Sequence, residues 1–211
     1  VTFTGGEPTR RDDLVELILY AEGLGQVTGV LTDGRRLADE HYLEALFKAG
    51  IDHFLITYIP GSEENIQGIR NAIASDVFTA IHMTLIDADA EEVMGWITKL
   101  HEMGVSAVSI TTADMSEQGQ DTVGVVREFA AELGMDLVWD IPAPYSRQNP
   151  IALELTDESS GAGKAWLYVE PDGDVLPEQG VNEILGNIFT DRWTQIWEKT
   201  EDIEDRGKIG S

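Results

Sequence analysis

Three segments of this chain close on one short pattern: Lys48-Ala49-Gly50-Ile51, Glu102-Met103-Gly104-Val105 and Glu132-Leu133-Gly134-Met135. In each, glycine supplies the left-handed residue that stops a helix, and the apolar residue after it opens a strand. Strands are read at Val1–Thr4, Gln26–Thr32, His53–Ile59, Val77–Ile86, Val105–Thr111 and Met135–Ile141, their starts 24 to 30 residues apart. The segments between them are amphipathic. Leu14, Leu17, Ile18 and Ala21 share one helical face, as do Val93, Met94, Ile97 and Leu100. Strands alternating with helices at this spacing need parallel pairing and right-handed crossovers. The expected fold is therefore α/β, an open or truncated (β/α) barrel with parallel strands over residues 1–150. A doubly wound open sheet uses the same units and is the alternative.

Strand parity adds a functional expectation. His82 and Thr84 lie opposite Ile81, Met83 and Leu85; Ser109 and Thr111 lie opposite Val108 and Ile110. Thr2 and Thr4 alternate with Val1 and Phe3, Thr57 with Ile56 and Tyr58, and Asp140 with Trp139 and Ile141. A parallel strand covered on both sides reads apolar on both faces. A polar face recurring on five strands points into a lumen that holds a polar ligand, with isolated core hydroxyls as the plainer alternative. His82 and Asp140 are the weak substrate-contact candidates on that face. A satisfied core histidine is the competing reading of His82.

The pattern stops after Pro142. Asp157 to Gly163 reads as a linker, and Pro171-Asp172-Gly173 as the turn of a small hairpin. A closing helix carries Trp193, Ile196 and Trp197. Residues 151–211 are thus expected as a separate C-terminal extension of β-hairpin and helix.

Charge restricts the partners. Thirty-nine acidic residues against fourteen basic give −25, and only five of the fourteen are lysine. Such a field repels nucleic acid and anionic membranes, and no apolar run is long enough to span one. The acids are scattered, which fits either a solvated surface or a halophile's cytoplasm, where salt screens the self-repulsion. With no cysteine in the chain, disulfides and thiolate-bound clusters within these residues are excluded. His41, His53, His82 and His101 show no metal-ligand spacing, and no P-loop, nucleophile elbow or dinucleotide fingerprint is present.

The chemistry-bearing motif is Gly5-Gly6-Glu7-Pro8, directly after the first strand. Two glycines let backbone approach a ligand, Glu7 can accept from an ammonium, and Pro8 sets the turn into a helix. A phosphate site is a poor fit, because Glu7 would repel the anion. Val1-Thr2-Phe3-Thr4 followed by GGEP resembles the second strand and loop of radical S-adenosylmethionine (SAM) enzymes. Thr32-Asp33-Gly34 is similar to that family's T-N-G, with aspartate in place of asparagine. Residues 56–70, ITYIPGSEENIQGIR, resemble a later family segment, in which Thr57 matches a serine near SAM and Arg70 an arginine that pairs with its carboxylate. Ile59 and Asn65 stand where the family has aspartate and histidine. Residues 166–180, with a Gly186-Asn187 turn and Trp193 to Trp197, resemble the SPASM or twitch extension of radical SAM maturases, with Glu178 where a cluster-ligating cysteine would stand.

The resemblance implies a radical SAM fold truncated before its first strand, with a cysteine-free SPASM-like tail. It implies a 4Fe–4S cluster only in the full-length protein, on a C-x3-C-x2-C loop upstream. SAM would be cleaved reductively and hydrogen abstracted from a peptide or cofactor-precursor substrate. Gly5, Gly6, Glu7 and Pro8 would hold the amino group of SAM's methionine and Arg70 its carboxylate, while Thr57, Thr84 and Thr111 would line the ribose and adenine. Other readings are a non-catalytic SAM- or peptide-binding module without a cluster, and a metal-free barrel aldolase or isomerase, which lacks a strand-end lysine. The expected location is the cytoplasm. A second chain is the expected partner for the open sheet edge beside Val1–Thr4.

The acidic surface generates a prediction. Melting temperature should be higher in molar KCl than in low-salt buffer, because salt screens the net charge of −25. An equal or lower melting temperature in KCl would remove the halophile reading.

Overall fold

The computed structural model describes residues 1–85, 89–112, 117–138, 167–177, 181 and 183–207. The chain forms two compact units, Val1–Leu153 and Glu154–Ser211. The first holds strands β1 (Thr2–Phe3), β2 (Gly29–Thr32), β3 (His53–Thr57), β4 (Phe78–Leu85), β5 (Ala107–Thr112) and β6 (Asp136–Leu137). They alternate with helices α1 (Leu14–Gly23), α2 (Glu40–Ala49), α3 (Glu63–Ile73), α4 (Ala90–Glu102) and α5 (Glu117–Glu132). All five strand pairings are parallel, and the spatial order β1-β2-β3-β4-β5-β6 is the chain order.

That order decides between the two expected architectures. A doubly wound sheet reverses direction at a switch point and places helices on both faces. Here every connection steps one strand the same way, which puts all five helices on one face, as in a barrel. Among the described residues β1 pairs with β2 alone and β6 with β5 alone, so the sheet is an open, partial barrel.

The helix-covered face carries most of the core. Val30, Phe54, Ile56, Ile81, Met83, Val108 and Ile110 from the strands pack with Leu14, Ile18, Leu43, Leu46, Ile69, Val93, Ile97, Leu100 and Val126 from the helices. The helix ends follow local chemistry. Asp39 accepts from the His41 and Tyr42 amides, Ser62 from Asn65 and Asp89 from Glu92, satisfying donors that the first turn leaves open. Gly50, Gly104 and Gly134 take left-handed φ of 92°, 97° and 78°, as the repeated sequence pattern requires.

Two strands are shorter than their apolar runs because side chains claim their end groups. The Thr28 amide goes to Asp52 Oδ2 at 2.7 Å, ahead of β2. The Ile59 amide goes to Asn65 Oδ1 at 2.9 Å, so β3 ends at Thr57. The expected strand Met135–Ile141 is regular at Asp136–Leu137, and its last three residues lie outside the described residues.

In the second unit, β7 (Tyr168–Val169), β8 (Asp174–Leu176) and β9 (Gly186–Asn187) form an antiparallel sheet. The expected hairpin is present, its turn closed by Gly173 at φ 92°. Gly186-Asn187, expected as a turn, is instead the third strand. Asn187 Nδ2 donates to Asp172 O at 3.0 Å and Asp174 Oδ1 at 2.9 Å, which draws the segment onto β8. Helix α6 (Trp193–Gly207) buries Ile196 against Val175 and Leu185. Trp193 and Trp197 stay 53% and 43% exposed. The Asp157–Gly163 linker and Glu178 lie outside the described residues.

The tightest backbone approach joins α3 to the loop after β2. A Cβ on Gly68 would stand 1.9 Å from the carbonyl oxygen of Gly34. Backbone on both sides leaves little room to yield, so Gly68→Ala should cost about 2–3 kcal/mol, at the upper end of overpacking. Urea denaturation measures it; a loss below about 0.5 kcal/mol would mean that α3 is not seated there.

Candidate cofactor-binding mouth of the sheet

Parallel strands bring their C-terminal ends to one edge, and in such sheets that edge carries the ligand loops. Gly5–Pro8, Thr32–Gly34 and Pro60–Ser62 all leave the sheet there. Residues 86–88, 113–116 and Pro142–Pro144, expected on the same rim, lie outside the described residues, as does Asp140.

Glu7 ties the first two of these loops together. It caps the 3-10 turn Pro8–Arg10. Its Oε1 accepts from the Thr9 amide at 3.0 Å, the Thr9 hydroxyl at 2.5 Å and the Thr32 hydroxyl at 2.6 Å. Its Oε2 accepts from the Asp33 amide at 2.6 Å. The carboxylate thus spends three bonds at one oxygen and one at the other, which leaves a lone pair on Oε2. The Thr32 hydroxyl in turn accepts from the Gly34 amide at 3.1 Å, and the Asp33 side chain from the Arg35 amide at 3.0 Å. A T-N-G asparagine is not needed for this turn, because aspartate provides the same acceptor.

Asn65 continues the clamp to the third loop. It is fully buried. Its Nδ2 donates to Asp33 O at 2.8 Å and Thr57 O at 2.9 Å, while its Oδ1 holds the Ile59 amide. Sequence reading noted Asn65 only as a departure from a family histidine. The signal available was its position three residues after the Ser62 cap, where a side chain turns back over the helix start.

On the face away from the helices, side chains stack in register. The lower layer is Leu31, Leu55, Ala80 and Ala107, each at most 1% exposed. The layer above is Thr57, His82 and Ser109, and the next holds Thr84 and Thr111. The hydroxyls and the His82 imidazole on this side therefore stand above an apolar layer, toward the mouth. His82 and Ser109 are buried, whereas Thr57, Thr84 and Thr111 are partly exposed.

Around the first loop the backbone is accessible. A Cβ on Gly5 or Gly6 would meet nothing within 4 Å. Gly5 has a φ of 124°, a conformation other residues rarely adopt. The adjacent Thr4 Oγ1 is buried without a hydrogen-bond partner among the described residues, which is uncommon for a buried hydroxyl. Pro8 is buried beneath the loop. Arg70 is not brought to this group. It is exposed in the last turn of α3, about 10 Å down a helix that rises 1.5 Å per residue away from the mouth.

Behind the loop, Arg36 donates to Thr9 O and lies 4.0 Å over the Tyr42 ring. Burial raises the Tyr42 hydroxyl pKa, against the opposing pull of Arg36. From α5, Arg127 donates to Ile110 O of β5 at 2.7 Å, and burial lowers its pKa. Neither group was singled out in the sequence.

The Glu7 geometry generates a prediction. Glu7→Gln keeps the shape but sets an amide NH2 against at least one of the donors that the carboxylate accepts. Stability should fall by about 2 kcal/mol, the cost of unpaired donors, read by urea denaturation. An unchanged midpoint would mean that the carboxylate does not hold the loops.

No protein-family model matches the chain. Among curated proteins, a PqqA peptide cyclase of Xanthomonas oryzae pv. oryzae (strain MAFF 311018) is 27% identical over 217 residues, covering 89% of this chain and 56% of the relative. A PqqA peptide cyclase of Gluconobacter oxydans (strain 621H) is 29% identical over 206 residues, covering 84% and 55%. The chain spans about half the length of the curated relatives it matches. Among solved structures, Streptococcus suis SuiB bound to S-adenosylmethionine matches with a TM-score of 0.66 at 16% identity, over 93% of this chain and 54% of that one. SuiB bound to the precursor peptide SuiA matches with a TM-score of 0.64 at 15% identity, over 93% and 53%.

Proposed function

We propose, for a chain whose relatives and fold bear out its resemblance to the radical SAM superfamily, that the mouth of the first unit binds S-adenosylmethionine and serves modification of a peptide. The observation that carries this reading is the open Gly5–Gly6 backbone on the same sheet edge as the hydroxyls of Thr57, Thr84 and Thr111, which stand in two successive layers. The residues fit the group. Carbonyls of the glycine loop and the remaining lone pair of Glu7 Oε2 suit an ammonium. The buried Thr4 hydroxyl, unpaired among the described residues, lies at the same loop. The two hydroxyl layers suit the donors and acceptors of a ribose and a base, and the apolar layer below them closes the floor.

Bound there, SAM would supply the chemistry of hydrogen abstraction from a substrate. The chain's residues hold, orient and shield it; the chemistry is the cofactor's. The reductant in this reading is a 4Fe–4S cluster, and this chain has no cysteine to hold one. In this reading residues outside this chain would hold the cluster. The peptide substrate is suggested by relatives named PqqA peptide cyclase and by SuiB bound to its precursor peptide. Among the described residues no helix is long and apolar enough to cross a membrane.

Calorimetric titration with SAM tests the site. Saturable binding is expected, weakened about tenfold by Thr84→Val, equivalent to one lost hydrogen bond. Absence of saturable binding to the unmodified chain would overturn the assignment.

A further inference from the structure

The buried part of the polar wall is organised around one imidazole. His82 is 1% exposed, in register between Thr57 of β3 and Ser109 of β5. Its Nδ1 lies 3.2 Å from Ser109 Oγ and its Nε2 lies 3.1 Å from Thr84 Oγ1. Thr111 Oγ1 donates to Thr84 Oγ1 at 3.5 Å. Ser109, His82, Thr84 and Thr111 therefore form one continuous line, running from the buried layer to the partly exposed rim.

Such a line has a direction. A neutral imidazole carries one donor nitrogen and one acceptor nitrogen. If Nδ1–H donates to Ser109, Nε2 accepts the proton of the Thr84 hydroxyl. In the other tautomer Ser109 donates to Nδ1 and Nε2–H donates to Thr84, whose own proton is then directed elsewhere. Thr84 has a single proton, so the tautomer decides whether it meets other groups as a donor or as an acceptor. Hydroxyl rotors cost little to turn in isolation. Linked through a buried ring with one tautomer, they turn together or not at all.

We propose that His82 is a positioning residue: it holds the Thr84 hydroxyl, and through it that of Thr111, in one donor–acceptor arrangement facing the mouth. Seated below Thr84, His82 acts through the two threonines and not by touching a ligand. The ligand chemistry it tunes is a nucleoside, whose sugar hydroxyls and base edge are read by direction as well as by distance. The nucleoside part rests on the SAM reading above; the locked hydrogen-bond line is a property of the protein alone.

The test combines two measurements on the full 211-residue chain. The first is the ¹⁵N spectrum of the His82 imidazole without ligand, in the unmodified chain and in Ser109→Ala. The second is calorimetric titration with SAM of the unmodified chain, His82→Leu and His82→Gln. The expected spectrum shows one neutral tautomer, with the population redistributed in Ser109→Ala. SAM affinity should fall about tenfold in His82→Leu, one hydrogen bond's worth. Most of it should return in His82→Gln, whose amide again offers one donor and one acceptor. Rapidly averaged tautomers in the unmodified chain would overturn the proposal. So would a folded His82→Leu, or a His82→Ala made in its place, that binds SAM as the unmodified chain does. A locked tautomer in a chain that binds no SAM would uphold the hydrogen-bond line and remove the nucleoside reading instead.

Discussion

One carboxylate organises the mouth of this sheet. Glu7 stands in the loop after β1, a strand two residues long, and reaches across to the loop after β2. Its four donors come from two loops, so it converts two separate strand ends into one rigid rim. Charge-assisted bonds of 2.5–2.6 Å are short enough for this to hold without help from solvent. Asn65 extends the same logic one strand further by taking a carbonyl from each of the β2 and β3 ends. Three loops are thus held by two buried or half-buried polar side chains, and the Gly5–Gly6 backbone is left open beside them.

The sheet below the rim divides labour between its faces. The helix side carries most of the apolar core, with the buried hydroxyls of Thr32, Thr79 and Thr112 set among it. The other side is apolar only where Leu31, Leu55, Ala80 and Ala107 close the floor, and polar above them. Burial decreases upward, from His82 and Ser109 to the partly exposed threonines. A ligand entering at the mouth would exchange water for hydroxyls without disturbing the core, which lies on the opposite face.

Local chemistry made much of this readable. Gly50, Gly104 and Gly134 announced their helix ends because only glycine takes the left-handed conformation at low cost. The alternation of His82 and Thr84 with Ile81 and Met83 placed the polar residues on one face, since strand side chains alternate strictly. Pro171-Asp172-Gly173 announced its turn for the same conformational reason. What could not be read locally depended on distant partners. Gly186-Asn187 carries turn-forming residues, yet it pairs as a strand because Asn187 finds Asp172 and Asp174. Arg70 matched a family arginine in sequence, but helix geometry carries it away from the mouth. Asn65 read as a mismatch, and its three bonds to residues 33, 57 and 59 exist only in the folded chain.

The sequence by itself determined the strand–helix repeat, the helix stops, the polar strand face and the glycine loop. Each of these follows from the conformational limits of a residue and its near neighbours. The tertiary structure alone decided the strand order, and with it the placing of all helices on one face. It also decided which side chains Glu7, Asn65 and His82 join. Those bonds link residues 2 to 32 positions apart, most of them in different strands and loops. Nothing in a local stretch of chain specifies which acceptor will stand within 3 Å of which donor once the sheet has formed.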